Sequence, residues 1–106
     1  MKHFMIKYRF ADGIGSREAW HQEVARFVAA LDSDPAVKGR IAYRVMTAKN
    51  ESGEYYHLAG AADDAAIKAL QSQEFFTRYN AETRRVGGGV VEVVPLEIVA
   101  ETAFRA

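Results

Sequence analysis

Three histidines and a group of strand tyrosines are the side chains in this sequence with the most chemistry to offer. His3, His21 and His57 are the only imidazoles, and no two of them stand at a ligand-forming spacing, so no metal site is expected. An imidazole exchanges protons near neutral pH. His57 is therefore the histidine to test as a catalytic base, against a structural place in an interface. Tyr8, Tyr43 and Tyr56 are candidate hydrogen-bonding residues, since a phenol oxygen both donates and accepts, and Tyr8 and Tyr43 join His57 as catalytic candidates. Trp20, Phe76 and Tyr79 are candidate walls. Two readings of this aromatic set stand side by side, a plain aromatic core or the ligand-binding lining of a pocket for a flat aromatic molecule.

Other chemistries lack their residues. Cysteine is absent, which excludes disulfides, thiolate metal sites and cysteine nucleophiles. The run GGG at 87–89 follows a helix and precedes a strand, the reverse of a phosphate or dinucleotide loop. It also lacks the P-loop lysine. No serine, histidine and acid stand in a hydrolase context. The expectation is a protein that works without metal, haem or flavin.

The elements that must position these residues follow from the apolar pattern. Residues 2–10 alternate, with Phe4, Ile6, Tyr8 and Phe10 on one face and His3, Met5, Lys7 and Arg9 on the other, a first strand. Ser16 caps a helix whose apolar stripe is Trp20, Val24, Phe27, Val28 and Leu31. It stops near Asp32, because Pro35 disfavours helical geometry at Asp34. Residues 40–48 and 55–61 form a hairpin across the turn NESGE. Asp63 or Asp64 caps a short helix with Ile67 and Leu70. Ser72 caps another, with Phe76, Tyr79, Thr83 and Val86 on one side, Arg84 and Arg85 in its last turn and Gly87 as its left-handed stop. Residues 91–99 are the fourth strand.

The order βαββαβ predicts an α+β, ferredoxin-like fold: a four-stranded antiparallel sheet with helices on one face. Tyr8, Tyr43 and Tyr56 are assigned to the helix side. Tyr55, His57 and Ala59 are assigned to the other side, with His3, Lys7 and Arg44.

The 106 residues, 49% hydrophobic, fit one domain over 1–106. Basic and acidic residues are 14 each, so the formal net charge is zero and no global field favours nucleic acid or an anionic membrane. The charged N-terminus has no signal-peptide core, and no stretch approaches the roughly 20 apolar residues of a membrane span. A cytoplasmic protein is expected.

The fourth strand is apolar on both parities, with Val91, Val93 and Val99 on one and Val94, Leu96 and Ile98 on the other. One sheet cannot bury both. A second copy covering the open face is the simplest solution, and the chain is read as a homodimer. Pro95 removes a donor and suggests a bulge or bend, after which residues 96–104 would reach the partner's sheet edge.

The element order, the helix SQEFFTRYNAETRRV and the following VVEVVPLEIV resemble the dimeric α+β barrel superfamily, over nearly the whole chain. The likeness is particularly to its antibiotic-biosynthesis-monooxygenase-like and stress-responsive branches. The resemblance implies a dimeric barrel that binds a small molecule. Its activity would be either cofactor-independent oxygenation of a phenolic or quinol-like compound, or none, in a metabolite-binding or stress-responsive protein. The haem-degrading branch places a histidine on its second helical segment, and residues 63–87 contain none. In the oxygenase reading the pocket excludes water and hydrogen-bonds the ligand oxygen, so that an electron-rich anion meets dioxygen directly.

Overall fold

Strict alternation at the N-terminus builds the strand on which the sheet is organised. In a computed structural model of the protein, described over residues 1–103, β1 (Lys2–Arg9) is central, flanked by β3 (Glu54–Ala61) and β4 (Glu92–Leu96), with β2 (Ile41–Thr47) outside β3. The order β2-β3-β1-β4 is antiparallel throughout, the ferredoxin-like arrangement expected from the element sequence. Three helices complete the chain: α1 (Arg17–Ser33), α2 (Asp64–Gln71) and α3 (Glu74–Val86). Among the described residues no helix is long and apolar enough to cross a membrane.

Local chemistry accounts for most helix ends. The Ser16 hydroxyl accepts from the Ala19 amide at 3.0 Å and the Asp63 carboxylate from the Ala66 amide at 2.8 Å, each satisfying one orphan donor. Asp34 is extended before Pro35 and closes α1 one residue past the expected stop. Two end signals fall elsewhere than expected. Ser72 lies in right-handed helical geometry and closes α2, while Gln73, without a side-chain cap bond, opens α3. Gly87 has φ −83°, and the left-handed residues are Gly88 and Gly89, at +66° and +84°.

Gly87 is needed for space instead. A Cβ there would lie 3.2 Å from Tyr8 Cβ, from the Val90 carbonyl and from Val91 Cγ2, so the end of α3 sits directly on β1. Gly87→Ala is expected to lower stability by about 1–3 kcal/mol through overpacking, read as a drop in the urea midpoint. An unchanged midpoint would show that this junction gives way freely.

The register assigns the faces. Tyr8 pairs with Tyr55, Ile6 with His57 and Phe4 with Ala59, while Tyr43 pairs with Ala59 and Val45 with His57. Tyr55, His57 and Ala59 thus share the helix side with Tyr8 and Tyr43, and Tyr56 points the opposite way. This reverses the sequence-based assignment for β3. Both parities of EYYHLAGA carry apolar surface, and a polar imidazole read as an interface residue is buried here because hydroxyls satisfy both of its nitrogens. On the outer face Lys7 lies over the Tyr56 ring, 5.6 Å from its centroid, and the Tyr56 hydroxyl donates to Glu54 at 3.3 Å.

The core between sheet and helices is aromatic: Tyr8, Trp20, Phe27, Tyr55 and Tyr79 are buried together with Leu31, Val37 and Val86. Tyr8 stacks on Tyr55, and Tyr79 stacks between Phe27 and Trp20. The fourth strand is shorter than the apolar run suggests and ends at Leu96. Pro95 pairs with Phe4 in unbroken register, so there is no bulge; as a member of an edge strand it needs no outward donor. Ile98 and Val99 follow outside any strand and are exposed. Phe104, expected to reach the partner, lies outside the described residues.

Candidate active site

Strand β3 carries His57 into the middle of the aromatic layer, where it is fully buried. Each strand beside it contributes one phenol. From β1, the Tyr8 hydroxyl is 2.7 Å from Nε2; from β2, the Tyr43 hydroxyl is 2.5 Å from Nδ1. From α3, the Tyr79 hydroxyl lies 3.4 Å from Nδ1 and 3.3 Å from the Tyr43 oxygen. From α1, Trp20 donates its indole N–H to the Tyr8 oxygen at 2.8 Å. Four elements converge on one imidazole, and among the described residues no buried side-chain polar atom lacks a partner.

Burial governs the protonation of this cluster. Leaving water disfavours the charged form, so the His57 pKa falls from 6.5 to about 4. The phenols of Tyr8, Tyr43 and Tyr79 move up, again mainly by burial, which for Tyr8 outweighs the hydrogen bond donated by Trp20. At neutral pH the whole cluster is uncharged: three phenols able to donate and one imidazole with a single N–H.

A cavity of about 250 Å³ opens beside the cluster. Tyr43, His57, Tyr79 and Thr83 form one polar part of its lining, Gln71 and Asn80 add two amides, and Ile41, Ile67, Leu70, Phe76 and Val93 contribute apolar walls. That is the usual composition of a small-molecule site, apolar with a few placed polar groups, though at the small end in size. Wider grooves run past Lys7, Arg9 and Glu54 and past Lys2, His3 and Asp64, but both are more open to solvent.

The structure divides the candidate residues. Tyr43, Phe76, Tyr79 and His57 line the cavity; Tyr8 stands behind His57 and is hydrogen-bonded to it, and Trp20 is hydrogen-bonded to Tyr8; Tyr56 is on the other face. Sequence reasoning missed Thr83 and Asn80 on α3 as cavity residues, and Val93 on β4. Thr83 was legible as part of the Phe76–Tyr79–Thr83 stripe, while Asn80 is only one residue off it. A second cluster was also missed: the Tyr55 hydroxyl accepts from Arg17 Nε at 2.9 Å and meets His21 Nε2 at 2.6 Å. It ties the first turn of α1 to the sheet beside the cavity's rear wall. Among the described residues no group of three or more His, Cys, Asp or Glu could hold a metal ion.

No family model matches the sequence, and no curated protein matches it. Solved structures do match in shape. One is the cofactor-independent oxygenase SnoaB from Streptomyces nogalater, with TM-score 0.73, 17% identity and 97% of each chain covered. Another is an antibiotic biosynthesis monooxygenase, with TM-score 0.73, 17% identity, 94% of this chain and 100% of that one covered. A third is Rv0793 from Mycobacterium tuberculosis, with TM-score 0.74, 12% identity, 96% of this chain and 98% of that one covered. At such identities the likeness is one of backbone course, and it agrees with the strand order and helix placement above. The chain has the α+β, ferredoxin-like fold found in antibiotic biosynthesis monooxygenase structures.

Proposed function

We propose that this protein is a homodimeric barrel that binds a flat aromatic small molecule in the cavity between sheet and helices, with a ligand oxygen at the Tyr43, His57 and Tyr79 end. The observation that carries the reading is the cavity itself, a mainly apolar slot with a neutral, buried cluster of three phenols and an imidazole at one end. Phe76 is a wall; Trp20 and Tyr8 act from behind. Homodimerisation is supported by the outer face, where Met46, Leu58 and Leu96 remain 40%, 39% and 43% exposed around Met5 and Val94, an apolar surface larger than a lone sheet face comfortably leaves to water.

Within this reading the protein is a cofactor-independent oxygenase of a phenolic or quinol-like compound, the activity named for SnoaB. The cluster would exclude water and hold the ligand anion by donated hydrogen bonds while it meets dioxygen. One observation favours the second reading, a non-catalytic metabolite-binding barrel. With its pKa lowered to about 4 by burial, His57 is a weak base, poorly matched to an ordinary phenol near 10. The oxygenase reading therefore confines the substrate to compounds already acidic near neutral pH, such as hydroxyquinones and stabilised enols.

Oxygen uptake by purified, chelator-treated protein with a panel of acidic quinols and simple phenols separates the two. Uptake with the acidic members alone supports the oxygenase; binding without uptake supports the metabolite-binding barrel. Tyr79→Phe keeps the ring and deletes a hydrogen bond, so affinity is expected to fall about fivefold, the equivalent of about 1 kcal/mol. Unchanged affinity by calorimetry would remove the Tyr79 hydroxyl from the site.

A further inference from the structure

We propose that Trp20, acting through Tyr8, fixes the imidazole of His57 with its proton on Nδ1, so that the chain Trp20, Tyr8, His57, Tyr43, Tyr79 ends at the cavity in a hydrogen-bond donor and selects ligands carrying an acceptor oxygen. The ligand half of this inference rests on the binding function proposed above; the imidazole half stands on the unliganded protein.

The assignment follows from counting donors along the chain. An indole N–H can only donate, so at 2.8 Å it occupies a lone pair of the Tyr8 oxygen. The Tyr8 hydroxyl is buried, and its other partner is His57 Nε2 at 2.7 Å. Its proton therefore goes to Nε2, which must be the unprotonated nitrogen. The reverse arrangement would leave the buried Tyr8 proton without an acceptor, a cost that native interiors avoid.

A neutral imidazole then carries its proton on Nδ1 and donates to the Tyr43 oxygen at 2.5 Å. The Tyr43 proton is passed on to the Tyr79 oxygen at 3.3 Å. Each member accepts from the one before and donates to the one after. The Tyr79 proton is not used by Tyr43 or His57, because Tyr43 gives its own proton to the Tyr79 oxygen and Nδ1 is a donor. The Thr83 hydroxyl beside it gives its proton to the Tyr79 backbone carbonyl at 2.9 Å and keeps lone pairs that hold the Tyr79 proton until a ligand oxygen accepts it. Tyr79 lines the cavity, as do Tyr43 and His57, and so the polar end presents a donor. A ketone, quinone or enolate oxygen completes the chain, whereas an N–H group in the same place leaves the Tyr79 proton without an acceptor from the ligand.

Trp20 is thus a positioning residue. It does not line the cavity, yet it sets which way every hydroxyl in the chain points. Trp20→Phe removes the N–H and leaves the space of the pyrrole ring, where a water can accept the Tyr8 proton, so the second orientation is freed and the imidazole can reverse.

The test reads the imidazole directly. Long-range proton–nitrogen correlation spectra of ligand-free, ¹⁵N-labelled protein at pH 7, with His57 assigned by its loss in His57→Gln, report which nitrogen is protonated. Wild type is expected to show Nδ1–H alone. In Trp20→Phe the Nε2–H to Nδ1–H ratio should rise about tenfold or more, the change that one hydrogen bond of about 1.4 kcal/mol produces. Nε2–H in the wild type, or a ratio unmoved in folded Trp20→Phe, overturns the inference. If Trp20→Phe does not fold, the wild-type spectrum still decides it.

The ligand half is read with two flat bicyclic probes of similar size, 1-indanone with an acceptor oxygen and indole with a donor N–H. Wild type should prefer 1-indanone about tenfold, and Tyr79→Phe should remove the preference. Equal binding of both probes, or a preference for indole, overturns the selection. If neither probe binds, the ligand half falls together with the proposed binding function, while the spectrum still decides the role of Trp20.

Discussion

Acidification from pH 6.5 to about 4 is expected to cost the folded protein about 3 kcal/mol through His57 alone. The unfolded chain takes up a proton near 6.5, whereas burial holds the folded His57 neutral down to about 4. Between those values the unfolded state binds more protons, so stability rises with pH across the window. Above 6.5 the imidazole is neutral in both states and its stabilisation is fully present. It is lost as pH falls through the window and the loss is complete below about 4. The size follows from about 1.4 kcal/mol per pKa unit. The chemical reason is the same cluster that builds the site: an imidazolium there would donate from both nitrogens, and the Tyr8 proton would lose its acceptor. Urea unfolding at fixed protein concentration, from pH 7.5 down to 4, should show this slope in wild type and lack it in His57→Gln. Parallel curves for the two proteins would place the acid sensitivity elsewhere, among the carboxylates.

Val94→Lys should convert the protein from a species of twice the 11.8 kDa chain mass to a monomer at micromolar concentration. Val94 lies on the outer face directly opposite Met5, whose other neighbour across the sheet is Leu58. In a two-fold dimer closed over this face every substitution appears twice. Two ammonium groups in an apolar contact without partners carry a cost of several kcal/mol, which corresponds to about a hundredfold or more in the dimer dissociation constant. Ile98→Lys, beyond the end of β4, should act in the same direction. Ala25→Lys, on the exposed side of α1, adds the same charge and should leave the dimer intact. Sedimentation equilibrium separates the outcomes. A Val94→Lys protein that associates like the wild type would exclude the outer face as the interface.

These two predictions draw on opposite faces of one sheet, and the faces were not equally legible. On β1 the alternation is clean, since Phe4, Ile6 and Tyr8 stand against His3, Met5 and Lys7, and one parity is plainly the apolar one. On β3 Tyr55 and Tyr56 are adjacent, Leu58 argues for one parity and Ala59 with Ala61 for the other, and the pattern has no single reading. Hydrogen-bond register decides it. Once Tyr8 pairs with Tyr55, every second residue of β3 follows to the helix side, because the side-chain period of a strand is two. His57 moved with that register from an interface to the centre of the candidate site.

The sequence alone determined the order of elements, the antiparallel α+β architecture and the cap at Ser16, and it narrowed the cap of α2 to Asp63 or Asp64. It also identified the aromatic composition of the layer between sheet and helices. All of these are properties of near neighbours in the chain: apolar period, side-chain oxygens next to a first helical turn, and a proline that forbids helix before it. Tertiary structure decided what joins residues 49, 36 and 12 positions apart, the separations of Tyr8 from His57, Tyr43 from Tyr79 and Tyr8 from Trp20. No local pattern encodes that a histidine between two tyrosine hydroxyls is satisfied in the interior. It emerges only when three strands and two helices bring the donors and acceptors within hydrogen-bond distance. A buried imidazole without those partners would cost more than its burial returns, so the same contacts that make the cluster chemically interesting are the reason it can be buried.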